Sequence, residues 1–205
     1  MPFKKLLQSG LFILLLCFTS LLFAEDVGYE TLTPAQPTQN KDKVEVIEFF
    51  WYGCPHCYHL EPSIAKWLKS KPKNVDFIRQ PAVFSKPWGD HAKAFFTAEA
   101  LGVLDKVHDD FFDAIQNKAQ KLDTEAELEK FFVAHGVEAG AFHTAYSSFL
   151  VDTKFRQASG MAARYGVTGV PALIVNGKYK ITGPSAKSQE NMITVLDQLI
   201  KQESK

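Results

Sequence analysis

Residues 44–58 read VEVIEFFWYGCPHCY, and this stretch decides the fold. Its first seven residues are rich in β-branched and aromatic side chains, which predicts a strand over residues 44–50. The Cys-Pro-His-Cys motif follows at once, and Pro55 suits the first turn of a helix because an N–H would have no helical partner there. The sequence therefore predicts a strand that runs directly into a helix, with two thiols at the junction.

The placement of the two thiols predicts redox chemistry. Cys54 is expected at the N-terminus of the helix, where free backbone N–H groups and the positive end of the helix dipole stabilise a thiolate. A protonated His56 would add to that stabilisation, so Cys54 is the expected nucleophile. Cys57 lies one turn further along and is expected to be less accessible, which suits a thiol that resolves a mixed disulfide held by Cys54.

A zinc site is the alternative interpretation of a Cys-x-x-Cys pair, and it would need two further ligands at a suitable spacing. The only other cysteine is Cys17. The remaining histidines are scattered without the spacing of a finger or zincin motif: His59, His91, His108, His135 and His143. The sequence therefore favours a reversible disulfide and predicts no metal.

The first 24 residues have the features of a secretory signal peptide. Lys4 and Lys5 precede an apolar run that is shorter than the ~20 residues a membrane-spanning helix needs. We expect cleavage after Ala24. Because Leu22 is bulkier than the small residue preferred near such a site, an uncleaved membrane anchor stays open as an alternative.

Export would leave a chain of roughly 180 residues, enough for one domain or one domain with a large insertion. The full sequence has 23 basic and 23 acidic residues, so the loss of Lys4 and Lys5 leaves 21 against 23. This balance of charges gives no reason to expect a nucleic acid or another strongly charged partner. A chain of this size folds without disulfide staples, so the Cys54–Cys57 pair is free to react, which indicates disulfide exchange.

The pattern of elements predicts an α/β fold interrupted by helices. A helix over residues 54–69, kinked by Pro62, leads to a strand over residues 74–80 that Pro81 ends. Beyond about residue 88 the apolar residues recur every four positions, which predicts four or five helices, and the phenylalanines there are expected to form core rather than a ligand pocket.

The strand pattern returns near the C-terminus. Strands are expected over residues 172–175 and 178–181, joined by a two-residue Asn176-Gly177 turn, with a final helix over residues 185–200. The whole chain then divides into residues 1–24 (signal peptide), 25–43 (extended arm with a short strand near 29–32), 44–86 (first α/β half), 87–166 (helical insertion) and 167–205 (second α/β half).

Two motifs, FFWYGCPHCYHLEP at residues 49–62 and TGVPALIVNGKY at residues 168–179, resemble the two halves of the active site of DsbA-type thiol:disulfide oxidoreductases. The resemblance implies a thioredoxin fold, with a central mixed sheet and an inserted helical subdomain. It also implies a periplasmic enzyme that oxidises cysteines of newly exported polypeptides and is reoxidised by a DsbB-type quinone-linked membrane protein. We further expect a monomer without a bound cofactor, since the disulfide carries the electrons.

Several further site residues are predicted. Pro55 and His56 occupy the dipeptide that is Gly-Pro in thioredoxin, a reductant, and the cation of His56 favours an oxidase. The resemblance implies a cis bond between Val170 and Pro171 that faces Cys54, and Gly169 before it suits a tight turn. A free strand end at this place would pair with an extended substrate through its backbone.

Glu48 is the remaining candidate. Alternation along the strand places it on the same face as Val46 and Phe50, so its carboxyl should point into apolar surroundings and have a raised pKa. The resemblance puts an acid at this position beneath the cysteines, where it would shuttle the proton of Cys57. A solvent-facing glutamate is the alternative.

Three other functions remain open at this point. An isomerase or reductase of the same fold is weakened because the residues before Val44 are too few and too polar for the N-terminal dimerisation domain that such isomerases carry. A non-enzymatic holdase or metal carrier would use the CPHC motif as a clamp. A membrane-tethered redox module would follow if the signal stays uncleaved.

Overall fold

A mixed sheet of five strands organises residues 28–204, which are the part of the chain that the computed structural model describes. In chain order the elements are β1 (Glu30–Thr31), β2 (Val44–Phe50), α1 (Pro55–Ser70), β3 (Val75–Pro81), α2 (Lys86–Ala100), α3 (Leu104–Gln116), α4 (Glu125–Ala134), α5 (Ala139–Tyr146), α6 (Phe149–Arg164), β4 (Ala172–Val175), β5 (Tyr179–Thr182), α7 (Gly183–Ala186) and α8 (Gln189–Glu203). The strand order is β1-β5-β4-β2-β3. Only the β2–β3 pair is parallel among these neighbours. The predicted α/β fold class is confirmed.

The predicted signal peptide and Cys17 lie outside the described residues. Within residues 28–204, no helix is long and apolar enough to cross a membrane.

Strand β2 lies in the middle of the molecule, and all seven of its residues are buried. On one face Val46 packs with Ile64 of α1 and Leu196 of α8. On the other face Phe49 packs with Tyr165, which follows α6. The predicted strand has the predicted bounds, and a polar side chain anywhere on it is removed from solvent.

Strand β3 includes Pro81, whereas the sequence predicted a strand that ends before it. Pro81 is aligned with Phe50 in the parallel pair, and the next residue, Ala82, donates its N–H to the Phe50 carbonyl at 2.9 Å. The missing N–H of Pro81 therefore falls on the outer side of an edge strand, where no ladder hydrogen bond is lost.

The predicted Asn176-Gly177 turn between β4 and β5 is present and is closed by a hydrogen bond from the Lys178 N–H to the Val175 carbonyl at 3.0 Å, but β5 begins one residue later than predicted. Asn176 and Gly177 adopt the expected positive φ values of 53° and 66°. Val175 pairs with Tyr179, which leaves Lys178 outside β5. The reason lies in the N-terminal arm, because the Lys178 carbonyl accepts a hydrogen bond from the backbone N–H of residue 32 at 2.7 Å.

The single C-terminal helix that was predicted over residues 185–200 is two helices, α7 and α8. Lys187 adopts a left-handed conformation with φ 68° and ends α7. Ser188 then caps α8, because its hydroxyl accepts the N–H of Asn191 at 3.2 Å. A left-handed residue followed by a serine N-cap stops one helix and starts the next.

Helices α2 to α6 form a block with an aromatic core. Four of its phenylalanines are at most 1 % exposed: Phe111, Phe112, Phe132 and Phe142. The same cluster continues without a break into Phe50, Cys54 and Cys57. Because the core is shared, the predicted division of the chain at residues 86–87 and 166–167 stays a prediction, and the helical block is a wall of the redox site.

Candidate active site

Cys54 is the N-cap of α1, and Pro55 occupies the first helical position. The Cys54 sulfur accepts the backbone N–H of Cys57 at 3.4 Å. Sulfur thus takes the place that a serine or aspartate oxygen has at an ordinary helix N-terminus. The sequence prediction for the start of this helix is correct, and α1 continues through Pro62 to Ser70.

These contacts make Cys54 an acidic thiol. The pKa of Cys54 falls from its usual 9.0 to about 6, chiefly through a hydrogen bond from the Cys57 side chain. Backbone N–H groups of Cys57 and His56 and the charge of His56 lower the pKa further, while partial burial opposes them. At neutral pH Cys54 is therefore mostly a thiolate, and the neighbouring thiol contributes more to this than the predicted cation of His56.

Cys57 has the opposite character. It is 0 % exposed, and burial raises its pKa well above 9.0, with smaller upward contributions from the hydrogen bond to Cys54 and from the charges of Cys54 and Glu48. Both cysteines are free thiols in this structure. The pair therefore has one acidic sulfur, that of Cys54, which is 7 % exposed, and one fully buried thiol that keeps its proton.

The second predicted motif lies directly opposite the first. The Val170–Pro171 peptide bond is cis, and the Val170 carbonyl is 3.5 Å from the Cys54 sulfur. Pro171 is buried, whereas Gly169 is exposed. Strand β4 begins at the next residue, so this loop is fixed at the end of a sheet strand while its outer side stays open.

An open groove of about 760 Å³ runs along this loop. Its lining includes His56, residues 167–172, and Thr182 to Pro184 at the start of α7. The groove therefore connects the turn of the redox motif with the residues around the cis bond.

Glu48 is fully buried, at 0 % exposure, on β2. Burial raises its pKa from 4.5 to about 8, the negative charge of Glu61 adds to the rise, and the Arg79 guanidinium opposes it. The Arg79 Nε atom lies 3.4 Å from Glu48 Oε2. The sequence alternative of a solvent-facing glutamate is wrong, and the carboxyl can both hold and release a proton near neutral pH.

Four further polar residues, which the sequence analysis did not assign to the site, extend the environment of Glu48: Tyr52, Glu61, Arg79 and His108. Arg79 binds Glu61 at 2.6 Å, and Glu61 Oε1 lies 3.4 Å from His108 Nε2. The Tyr52 hydroxyl lies 2.8 Å from His108 Nδ1. Burial raises the pKa of Glu61, but His108 and Arg79 outweigh that effect and hold it below 4.5.

Two of these four residues carried a signal in the sequence. Glu61 is four positions after Cys57 and three before Ile64, so it lies on the buried stripe of α1. His108 stands three positions before Phe111 on the buried stripe of α3. A polar side chain on an apolar helix face predicts a buried polar contact, although not its partner.

The aromatic residues ahead of the cysteines shape the surrounding surface. Trp51 stacks on Trp88 with ring centroids 4.2 Å apart and an interplanar angle of 10°. The Trp51 ring also covers Gly53 so closely that a Cβ atom at position 53 would lie 2.3 Å from a ring carbon. Glycine is therefore required immediately before Cys54.

Known proteins resemble this chain in sequence and in structure. The sequence profile of a DSBA-like thioredoxin domain matches residues 89–197. The protein named thiol:disulfide interchange protein DsbA from Azotobacter vinelandii is 42% identical over 196 residues, which cover 89% of this chain and 92% of that protein. The chain belongs to the DsbA family. The DsbA of Pseudomonas syringae pv. tomato is 43% identical, over 85% of this chain and 82% of that protein.

The solved structures agree with this family membership. The crystal structure of Pseudomonas aeruginosa DsbA is 40% identical in sequence, has a TM-score of 0.82, and matches 86% of this chain and 92% of that one. The predicted membership of the DsbA family and its thioredoxin fold are confirmed. The chain is a thiol:disulfide oxidoreductase, whereas the roles of its individual residues are proposals.

Proposed function

We propose that this DsbA-family protein is a periplasmic dithiol oxidase that donates a Cys54–Cys57 disulfide to newly exported polypeptides. The single observation that supports it best is the contrast between the two thiols. Cys54, with a pKa near 6, is a good leaving group at the helix N-terminus, and Cys57 is a buried thiol with a raised pKa. Such a pair accepts electrons readily, because each pKa unit below ambient pH stabilises the reduced form by about 1.4 kcal/mol, or about 30 mV.

The reaction begins with a substrate thiolate that attacks the Cys54 sulfur of the enzyme disulfide. A bond between substrate and Cys54 forms, the bond between Cys54 and Cys57 breaks, and the electron pair leaves on Cys57. Protonated Glu48 supplies the proton that makes Cys57 a thiol. A second substrate thiolate then attacks the substrate sulfur of the mixed disulfide and releases Cys54 as a thiolate. The substrate has lost two electrons, and the enzyme holds them as a dithiol.

Substrate binding is assigned to the groove beside the cis bond. Residues 169–171 lie at the open end of β4, and the Val170 carbonyl faces the reacting sulfur. An extended polypeptide that pairs with this edge would present its cysteine to Cys54 through backbone contacts. Exported chains that have not yet folded fit this mode, because it does not require one particular sequence.

The reduced enzyme must pass its electrons on. We assign this step to a DsbB-type quinone-linked membrane protein, whose disulfide would be attacked by Cys54 and then resolved by Cys57 with Glu48 as the base. No bound cofactor enters either half of the cycle. The periplasm is the compartment in which both partners meet, and the predicted signal peptide would deliver the protein there.

The metal-carrier alternative has less support. Within residues 28–204, the one group of three potential ligands whose donor atoms lie within 4.8 Å of one another is Glu61, His108 and Asp109, and neither cysteine belongs to it. Arg79 already binds Glu61 at 2.6 Å. A positive guanidinium at this distance disfavours a second cation.

The test is oxidation of a reduced two-cysteine peptide by the purified protein in its disulfide form. We expect one disulfide formed in the peptide for each enzyme disulfide consumed. Cys54→Ser and Cys57→Ser should each abolish the reaction, because neither variant can form the Cys54–Cys57 disulfide that takes up the two electrons. Reduction of a preformed peptide disulfide by the dithiol enzyme, without oxidation of the dithiol peptide, would contradict the proposal.

A further inference from the structure

A line of buried polar side chains connects the centre of the sheet with the helical block. It starts at Glu48 on β2, passes through Arg79 on β3 and Glu61 on α1, and ends at His108 on α3, which contacts Tyr52. The successive gaps are 3.4 Å, 2.6 Å, 3.4 Å and 2.8 Å. Each member belongs to a different element, so the line is made by the tertiary fold.

The direction of the hydrogen bonds at His108 follows from its two neighbours. Burial raises the pKa of Tyr52 well above 10.0, so its hydroxyl keeps its proton and can donate to His108 Nδ1. On the other side, Nε2 faces the carboxylate of Glu61, and a bare nitrogen lone pair there would repel it. His108 Nε2 therefore points its N–H toward Glu61 Oε1, 3.4 Å away, as a polar contact that is longer than a good hydrogen bond.

Arg79 is shared between two carboxyls that compete for it. Its Nη2 atom binds Glu61 Oε2 at 2.6 Å, while its Nε atom lies 3.4 Å from Glu48. As long as the N–H of His108 faces Oε1 at 3.4 Å, Glu61 has a second polar partner and needs only one nitrogen of the guanidinium. Without that donor, Glu61 would take Arg79 with both oxygens, as carboxylates commonly do, and Glu48 would lose part of its positive neighbour.

We propose that His108 is a positioning residue for the dithiol reaction: by holding Glu61, it keeps Arg79 available to Glu48, and so governs how readily Glu48 exchanges a proton with Cys57. The proposal rests on the proposed function. It assigns to a residue of the helical block, more than 50 positions away from Cys54 in sequence, a part in the chemistry of the sheet.

The groups that face His108 define what else could titrate in this region. Tyr52 and Glu61 contact the His108 ring, and Asp109 is the next residue along α3. Arg79 and Glu48 lie behind Glu61. Aromatic rings also pack around His108, among them Phe50 and Phe112 at centroid distances of 5.5 Å and 5.3 Å. A phenylalanine ring suits this aromatic surrounding and removes the polar contacts of His108 with Tyr52 and Glu61.

The test follows the step in which Cys57 acts. A mixed disulfide of glutathione with Cys54 is formed at low pH, and its resolution by Cys57 is measured after a jump to a series of higher pH values. In His108→Phe, Glu48 should lose its proton at higher pH, so the rate profile should move upward by about 0.5 to 1 pH unit, which lowers the rate at neutral pH by about 3- to 10-fold.

A matched control separates this effect from general damage to the core. His91 is 3 % exposed, on α2, and its ring packs against Tyr52 with centroids 6.4 Å apart, but its Nε2 atom binds the carbonyl of Lys121 at 2.8 Å and not a member of the buried line. His91→Phe should leave the pH profile in place even where it lowers the melting temperature. An equal shift of the profile in both variants would overturn the proposal.

Two polar substitutions keep the proposal testable if His108→Phe does not fold. A glutamine amide reaches about as far as Nε2 and can still donate to Glu61, whereas the shorter asparagine amide lies near Nδ1 and cannot. His108→Gln should therefore keep the wild-type profile, and His108→Asn should show the upward shift. Identical profiles for the two variants would overturn the proposal.

The route through Glu61 is tested by a double variant. In a Glu61→Gln background the competition for Arg79 is already weakened, so His108→Phe should cause no further shift of the pH profile, whereas additive shifts would contradict this route.

Failure of the inference is distinct from failure of the proposed function. If the wild-type protein resolves the mixed disulfide and His108→Phe does so with the same profile, only the inference fails; if the wild type does not resolve it, the function fails.

Discussion

The two sulfur atoms of the motif differ most in what surrounds them. Cys54 receives hydrogen bonds from the Cys57 thiol and from backbone N–H groups, which together hold its pKa near 6. Cys57 sits at 0 % exposure among apolar side chains. The chemical asymmetry of the pair therefore comes from the position of each sulfur at the helix N-terminus, which explains why the sequence alone predicts the more acidic thiol; that Cys54 is the nucleophile stays a prediction.

Removal of the Cys57 thiol should raise the pKa of Cys54. The hydrogen bond from Cys57 is the largest contribution that lowers it, so in Cys57→Ala we expect an upward shift of about one unit or more. Absorbance of the thiolate, followed as a function of pH, measures the shift. Cys57→Ser keeps a donor and should remain closer to wild type; a Cys54 pKa that is unchanged in Cys57→Ala would contradict this assignment.

Replacement of Glu48 should slow the steps that move the Cys57 proton. Glu48→Gln cannot accept a proton, and we expect the resolution of a mixed disulfide by Cys57 to slow by roughly 10- to 100-fold at neutral pH, at or below the low end of general base catalysis. Stopped-flow measurements give the rate, and the redox potential should change as well.

Glu45→Gln is the matched control for Glu48. Glu45 is a buried acid of the same strand, but it points to the other face and binds the backbone N–H of Gln39 at 2.9 Å. The Glu45→Gln variant should leave unchanged the rate at which Cys57 resolves the mixed disulfide. Unaltered kinetics and potential in Glu48→Gln would exclude Glu48 as the proton shuttle.

Among the elements, the turn between β2 and α1 is held by close packing. Gly53 lies under the Trp51 ring, and Trp51 is itself held against Trp88. The strand, the turn and the first turn of the helix are therefore locked together, and the Cys54 sulfur is positioned by this junction.

Gly53→Ala should destabilise the protein. A Cβ atom there would meet the Trp51 ring at 2.3 Å, and the ring cannot move away without breaking its stack on Trp88, so we expect a loss of about 1–3 kcal/mol in the free energy of unfolding. Gly160→Ala in α6 is the control, because nothing lies within 4 Å of its Cβ position, and alanine there should be neutral or stabilising. Denaturant titration measures both; equal stabilities would contradict the packing argument.

The elements show what local sequence can and cannot predict. Apolar density predicted β2 with its correct bounds, and the left-handed pair Asn176-Gly177 predicted the hairpin. The later start of β5 was missed because the carbonyl of Lys178 pairs with the N-terminal arm, which is distant in sequence. The break between α7 and α8 was missed because Lys187, a residue without a turn preference, adopts the left-handed conformation.

In the whole molecule, the core of the helical block extends to Phe50 of β2 and to both cysteines, so the redox site lies where the block meets the sheet. Cys54 and Cys57 were predictable from a local motif, and Pro171 from a family resemblance. Arg79 and His108 were not, because their roles depend on which strand and which helix face Glu48 and Glu61. Arg79 is aligned with Glu48 in the parallel β2–β3 pair, which a single sequence does not reveal.

The stability of the whole fold should depend on pH differently in its two redox forms. The pKa of Cys54 is about 6 in the folded protein and near 9.0 when unfolded, so its contribution to the reduced form is fully present above pH 9.0 and is lost as the pH falls through 6. The difference in unfolding free energy between reduced and oxidised protein should therefore grow in favour of the reduced form from about pH 6 to 9.

Glu48 and Cys57 also affect how the unfolding free energies of the two redox forms depend on pH. Glu48 also titrates in this range, with a pKa near 8, but it is present in both redox forms, so the difference between them isolates the thiols. Above pH 9 the buried Cys57, whose pKa is raised, begins to oppose the effect. Denaturant titrations of both forms over the range supply the measurement, and a difference that is independent of pH would contradict the assigned Cys54 pKa.

The most direct test of the oxidase function is the equilibrium between the Cys54–Cys57 dithiol and its disulfide in glutathione buffers. We predict a redox potential at least about 60 mV above the approximately −270 mV of thioredoxin, which is about a hundredfold in the equilibrium constant. A potential close to that of thioredoxin would contradict the oxidase function and would favour a reductase or isomerase built on the same fold.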